Sequence, residues 1–182
     1  MCRARRAATV LAALCVVACQ SPTDPDEVPD YLEVSVSPDP ATATGPTGRF
    51  YVVTRADGTD ERREYDWKAT FTVAVRLTSA ALDDNVGIEL PVDITAATVR
   101  VQQASGGIVT PPTGSEVERY EFVITSSTSN RFVAVDTDVS MTFDVWYDLP
   151  NERREALATV QLAFSDDGSF NFQENVPVRI AP

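Results

Sequence analysis

Asp136 and Asp138 stand two residues apart after the short apolar run from Phe132 to Val135, a spacing that turns both carboxylates to one side of an extended strand. Oxygens paired in this way can ligate calcium or share acid and nucleophile roles in glycoside hydrolysis. One local pair is short of the roughly six to eight oxygens that calcium takes. Asp136 and Asp138 are therefore calcium candidates whose more ordinary reading is a solvated strand end. The acidic stretches Asp57-Gly58-Thr59-Asp60 and Asp166-Asp167-Gly168 depart from the ordered ligand spacing of a calcium loop and are adequate as turns without metal. Trp146 shares its phase with the polar residues Thr142 and Asp144, opposite the Val145 side. On an open face an indole there would be a stacking platform for a sugar or a partner protein, with Tyr147 or Tyr120 as further stacking groups. Under a long loop, or in a strand covered on both faces, it would be structural. Trp67 falls in the apolar phase of its own strand and reads as core.

What is missing narrows the chemistry further. The 182 residues include no histidine, which removes Ser-His and Cys-His nucleophile pairs, histidine zinc sites and imidazole acid-base work. Lys68 is the only lysine, which leaves little room for Schiff-base or Ser-Lys chemistry. Only carboxylates, hydroxyls and arginines are left, and no motif assembles them. The expectation is a protein without catalytic residues and without a cofactor. The three cysteines are Cys2, Cys15 and Cys19, all near the start, so the rest of the chain has no thiol for a disulfide.

The first 19 residues explain those cysteines. Arg3, Arg5 and Arg6 precede Ala7 to Ala18, twelve residues in which Thr9 is the one polar side chain. This is the form of a signal peptide, and it is shorter than the roughly 20 apolar residues that a membrane-spanning helix requires. The run ends Val16-Val17-Ala18-Cys19 and resembles the lipobox of bacterial lipoproteins, with Val16 where that family more often has Leu. The resemblance implies a diacylglyceryl thioether on Cys19 and cleavage after Ala18. Two or three acyl chains hold a domain at a membrane persistently where one does not. It also implies export, and Gln20 in place of the inner-membrane retention aspartate favours the outer membrane in a Gram-negative cell.

Three parts follow: a signal peptide over 1–18, an acidic proline-rich tether over 19–30, and one domain over 31–182. Residues 20–30 (QSPTDPDEVPD) hold three prolines and a single apolar residue, a composition that extends rather than packs. The whole chain carries 15 basic and 27 acidic residues; cleavage would remove three basic and no acidic ones, leaving −15. That balance opposes binding to nucleic acid and suits solubility beside a crowded membrane.

From Tyr31 onward apolar residues alternate with polar ones in short runs separated by Pro, Gly, Asp and Asn, the pattern of half-buried strands. The clearest are Trp67 to Leu77, Val139 to Tyr147 and Ala156 to Phe164. Val86 to Ile94 reads as an edge strand or one broken at Pro91, and Ala56 to Asp66 as a charged connection with room for one helical turn. About nine to eleven strands and no amphipathic helix predict an all-β sandwich. The run of a strong strand, a polar turn and VSMTFDVWYDLPNERREALATVQL resembles immunoglobulin-like or fibronectin-type modules of bacterial surface lipoproteins. The expectation is a lipid-anchored, non-catalytic binding or structural module whose partners are the membrane, through Cys19, and another envelope protein. A carbohydrate-binding module using Trp146 is the alternative.

Overall fold

The computed structural model describes residues 32–82, 88–104, 119–149, 153–166 and 170–182. The signal peptide, Cys19 and the tether, and the turns expected at 83–85, 105–107, 111–114, 150–152 and 167–168, lie outside the described residues. Among those described, eleven strands form: β1 (Leu32–Ser37), β2 (Ala41–Thr44), β3 (Phe50–Thr54), β4 (Asp60–Glu64), β5 (Trp67–Leu77), β6 (Val92–Gln103), β7 (Tyr120–Ser127), β8 (Arg131–Phe132), β9 (Asp138–Tyr147), β10 (Ala156–Asp166) and β11 (Asn171–Ala181). A single 3-10 turn, Ser79–Leu82, follows β5.

The strands make two layers. One runs β7-β9-β5-β1, the other β8-β6-β10-β11. With the hairpin β3–β4, the short β2 and β8 set aside, seven strands remain, in the order first-second-fifth-fourth against third-sixth-seventh, the arrangement of an immunoglobulin constant-type sandwich. β2 joins the layers at one edge. It pairs antiparallel with β5 through Ala43 and Ala69, and parallel with β11 through Ala41 and Ile180.

Alternation explains which side chains meet. Ala69, Phe71, Val73 and Val75 of β5 face Val145, Phe143, Met141 and Val139 along the register with β9, Leu77 faces Leu32 of β1, and all are buried. The opposite layer supplies Ala158, Val160, Leu162, Phe164, Val176, Val178 and Ile180. Phe71 and Phe143 stack with ring centroids 5.7 Å apart, and Phe164 stacks on Phe172 at 4.6 Å. Tyr147 ends β9 wholly buried and donates its hydroxyl to the Arg154 carbonyl at 2.5 Å, pinning the connection into β10.

Two local expectations are corrected. The Val86 to Ile94 run is not a strand throughout: β6 starts at Val92, after Pro91, and continues as one strand through Val99 and Val101. Its inward phase passes from Val92 and Ile94 to Val99 and Val101 because the register with β10 shifts between Ala163 and Phe164, leaving Thr95 unpaired as the extra residue. The charged stretch after Thr54 is not helical. Asp60 to Glu64 pairs with Phe50 to Thr54, a hairpin turned by Gly58 at φ +81°, where a side chain would be strained.

Candidate functional site

The hairpin β3–β4 folds over the end of the sandwich where β5 begins and β9 ends. Its turn is locally satisfied: the Asp57 carboxylate accepts from the Thr59 amide at 2.9 Å and the Thr59 hydroxyl at 2.6 Å, and Arg55 N–H donates to the Thr59 carbonyl at 2.8 Å. This explains the acidic Asp57 to Asp60 stretch as turn chemistry. The hairpin's base is tied to the sandwich by ions and rings. Arg49 forms an ion pair with Glu121 on β7. Arg119 donates to the Val52 carbonyl at 3.3 Å and lies over the Tyr51 ring at 5.2 Å. Tyr51 and Tyr65 pack with centroids 4.7 Å apart.

Trp146 lies beneath this attachment. It is 8 % exposed, with the Arg49 guanidinium 4.9 Å and the Lys68 ammonium 5.2 Å from its ring centre. Of the two readings open for Trp146, the structure fits the covered one: the indole is on the polar face of β9, as its phase requires, and the segment before β3 and the Lys68 side chain cover it. Lys68 is held there by Asp144 at 2.7 Å, and Asp144 also accepts from the Thr70 hydroxyl at 2.6 Å. Of the other proposed stacking groups, Tyr147 is core, and Tyr120, its cross-strand neighbour, is partly exposed. Trp67 packs on the core with the Arg154 guanidinium 4.3 Å over its ring.

A buried carboxylate completes the pole. Asp148 accepts from the Asp66 amide at 2.7 Å and from the Tyr51 hydroxyl, and its own N–H donates to the Arg119 carbonyl at 2.8 Å. Burial raises its carboxyl above the usual range, against the opposing pull of the Tyr51 hydroxyl, the Asp66 amide, Arg63 and Arg119. Burial likewise raises the Tyr51 and Tyr65 hydroxyls, so both stay protonated donors at neutral pH.

The outer side of the hairpin is different. Phe50 is 43 % and Val52 54 % exposed, on the same face of β3, and the Arg62 guanidinium lies 3.9 Å over the Phe50 ring. Phe50, Tyr51, Val52, Arg49, Arg62 and Glu121 line a shallow hollow of about 360 Å³. Val123, exposed on the same face of β7 as Glu121, adds apolar surface, whereas Tyr120 is exposed in the opposite phase, across from Tyr147. Aromatic and arginine side chains around an apolar centre are the composition of protein-binding hot spots. Sequence reasoning missed Phe50 and Val52 because their strand is short. The alternation in Phe50 to Thr54, followed by Asp57-Gly58, carried the available signal.

Asp136 and Asp138 lie at the far end of β9. Asp136 sits in a turn with φ +59°, not on the strand, so the pair does not share a strand face. Asp138 is committed to Arg76 through two hydrogen bonds of 2.8 and 3.1 Å, which holds its carboxyl below the usual range. Asp166, in the other acidic turn, accepts from the Glu89 and Phe170 amides. Among the described residues no three acidic, histidine or cysteine side chains gather as a metal site.

No family model matches the chain, and no curated protein matches it. One solved structure with related geometry is a family 123 glycoside hydrolase from Clostridium perfringens that hydrolyses glycolipid glycans, at 8% identity and TM-score 0.29. The match covers 83% of this chain, which spans only 27% of that enzyme's length.

Proposed function

We propose that the chain is an exported lipoprotein, held at the membrane through Cys19, whose sandwich is a non-catalytic module binding another envelope protein through the hairpin pole. The observation that carries this reading is the exposed Phe50–Val52 face with Arg62, Arg49 and Glu121 around it. Its position adds support. Leu32, where the domain would leave its tether, pairs with Leu77 at the far end of β5, while the hairpin adjoins Trp67 at the near end. The eleven residues of β5 put roughly 35 Å between them. A lipid on Cys19 would thus leave the hairpin pole pointing away from the membrane surface. The partner this surface suits offers apolar side chains and carboxylates, which Arg62 would meet.

Crosslinking in the native organism tests the reading. A specific envelope protein should be captured by the wild-type chain and lost in the double variant Phe50→Ser/Val52→Asp, with the melting temperature unchanged. Capture that survives the double variant would remove the hairpin pole from the proposal. Cys19→Ser should move the protein out of the membrane fraction, and a variant that stays there would remove the anchor.

A further inference from the structure

The sandwich is open along the edge that its β2 seam closes at one end. β1 is hydrogen-bonded on one side only, to β5, and β11 meets β2 only through Ile180 and Ala181. Between them runs a groove of about 400 Å³ lined by Leu32, Val34, Val36, Glu174, Val176 and Pro177. Pro177 has no N–H to donate, so in its pairing with Thr159 it occupies a position whose backbone groups face away from β10. The β10–β11 register is unbroken, so Gln173 and Asn175, in the same phase, also turn N–H and C=O toward the groove. The Asn175 amide is used accordingly, donating to the Glu174 carboxylate.

Glu174 is the anomaly. It faces inward opposite Leu162 and is 7 % exposed, between strands whose inward residues are otherwise apolar. No lysine or arginine among the described residues pairs with it. Burial raises its carboxyl, with only the Asn175 amide opposing. A carboxylate in such a place is costly until a cation meets it.

We propose that this groove is a docking slot for an extended segment of a partner protein, which adds as a strand along β11 and sets a lysine or arginine side chain against Glu174. Main-chain bonds to Gln173 and to the Pro177 carbonyl would hold the strand. Its alternate side chains would fill the space over Val34, Val36 and Val176, and the cation would satisfy Glu174. The charge also selects the occupant. A second copy offering β1 or β11 brings Leu32, Val34, Val36, Phe172, Glu174 and Val176 inward, with no cation and a second acid. Residues 20–30 of this chain contain no lysine or arginine either. An all-apolar strand leaves Glu174 unpaired, so the same residue that attracts a cationic strand rejects the others. The slot is separate from the hairpin pole and does not depend on it.

Selection from a random heptapeptide library on the full chain in mild detergent tests the slot, followed by titration of the selected peptides. The expected peptides share one basic residue with apolar residues two positions before and after it. Replacing that residue by norleucine should weaken binding to the wild type at least tenfold. Glu174→Gln should cost as much with the basic peptide and erase the difference between the two peptides, a coupling that a structural role alone would not produce. Hydrogen exchange at the Gln173 amide should slow on binding, and Phe50→Ser/Val52→Asp should leave affinity unchanged. Selection of no peptide by a chain with a normal melting transition, peptides without a basic residue, or equal affinity for Glu174→Gln would each overturn the proposal. Glu174→Leu, which fills the groove with apolar bulk, should abolish the preference for the basic peptide; its retention would count the same way.

Discussion

Phe71 and Phe143 meet between the layers with almost no contact with water, whereas Arg49 and Lys68 lie over the Trp146 ring with their charged groups still reached by solvent. The first contact is held by buried area, which is non-directional and large. The second is held by a cation over a ring and by ion pairs, each of which contributes little near water. Both sit on β9, three residues apart, on opposite faces. The difference separates what keeps the sandwich folded from what keeps its hairpin in place: a two-stranded hairpin cannot stand alone and depends on those weak attachments. The comparison therefore makes unequal claims about substitutions on the two faces.

The largest expected effect is in the interior. Phe143→Ala should destabilise by about 3–5 kcal/mol, from the lost transfer free energy and the cavity left against Phe71. Denaturant unfolding measures it, and a loss under about 1 kcal/mol would mean that the layers close over the gap and that this contact is not central. Next comes the boundary between the two regions. A Cβ added at Gly45 would lie 2.7 Å from the Asp66 carbonyl oxygen and 3.3 Å from the Trp67 ring, so the segment leading from β2 to the hairpin would have to shift. Gly45→Ala should cost about 1–3 kcal/mol as an overpacking defect. Unchanged stability would show that the hairpin's approach to β5 is loose.

The same division decides what could be read from the sequence. The interior was legible because a period of two marks both faces of a half-buried strand: Trp67 to Leu77, Val139 to Tyr147 and Ala156 to Phe164 fall on the core with the phases their alternation requires. β6 is less legible as one strand, because the extra residue at Thr95 reverses the phase midway. The pole was not legible, since Trp146 and Asp138 take their environments from residues distant in sequence. Alternation put Trp146 on the outer face correctly. That Arg49, some hundred positions earlier, would cover it is a tertiary fact with no local mark. Glu174 shows the converse: it stands in the inward phase of Phe172, Val176, Val178 and Ile180, so its place was marked in the alternation, and the register with Leu162 sets it against the core.

At the pole itself the expected change is smaller. Arg49→Ala removes an ion pair and a cation from the Trp146 ring, both partly in water, and should cost under about 1 kcal/mol of global stability. Its clearer signature should be local: indole fluorescence should shift toward the red as water reaches Trp146, and the β3 amides should lose hydrogen-exchange protection before those of β9. If β3 and β9 lose protection together, the pole is part of the cooperative core and the contrast drawn from Phe143 fails.

The smallest change has the opposite sign. Because burial raises the Asp148 carboxyl, the folded chain holds that proton more tightly than the unfolded chain does. The stability it contributes is full below the unfolded value near 3.8 and is lost as pH rises through the raised folded value. Where the carboxyl is charged it stays buried, with the Asp66 amide and the Tyr51 hydroxyl as its donors and Arg63 and Arg119 near it. Asp148→Asn keeps an oxygen for the Asp66 amide and removes the charge. The variant and wild type should therefore unfold alike at about pH 3, and the variant should become the more stable of the two as pH rises to 7. A variant that is less stable at pH 7 would mean that Arg63 and Arg119 outweigh burial. The pole would then be held by a charge pair, as the Arg49–Glu121 contact is.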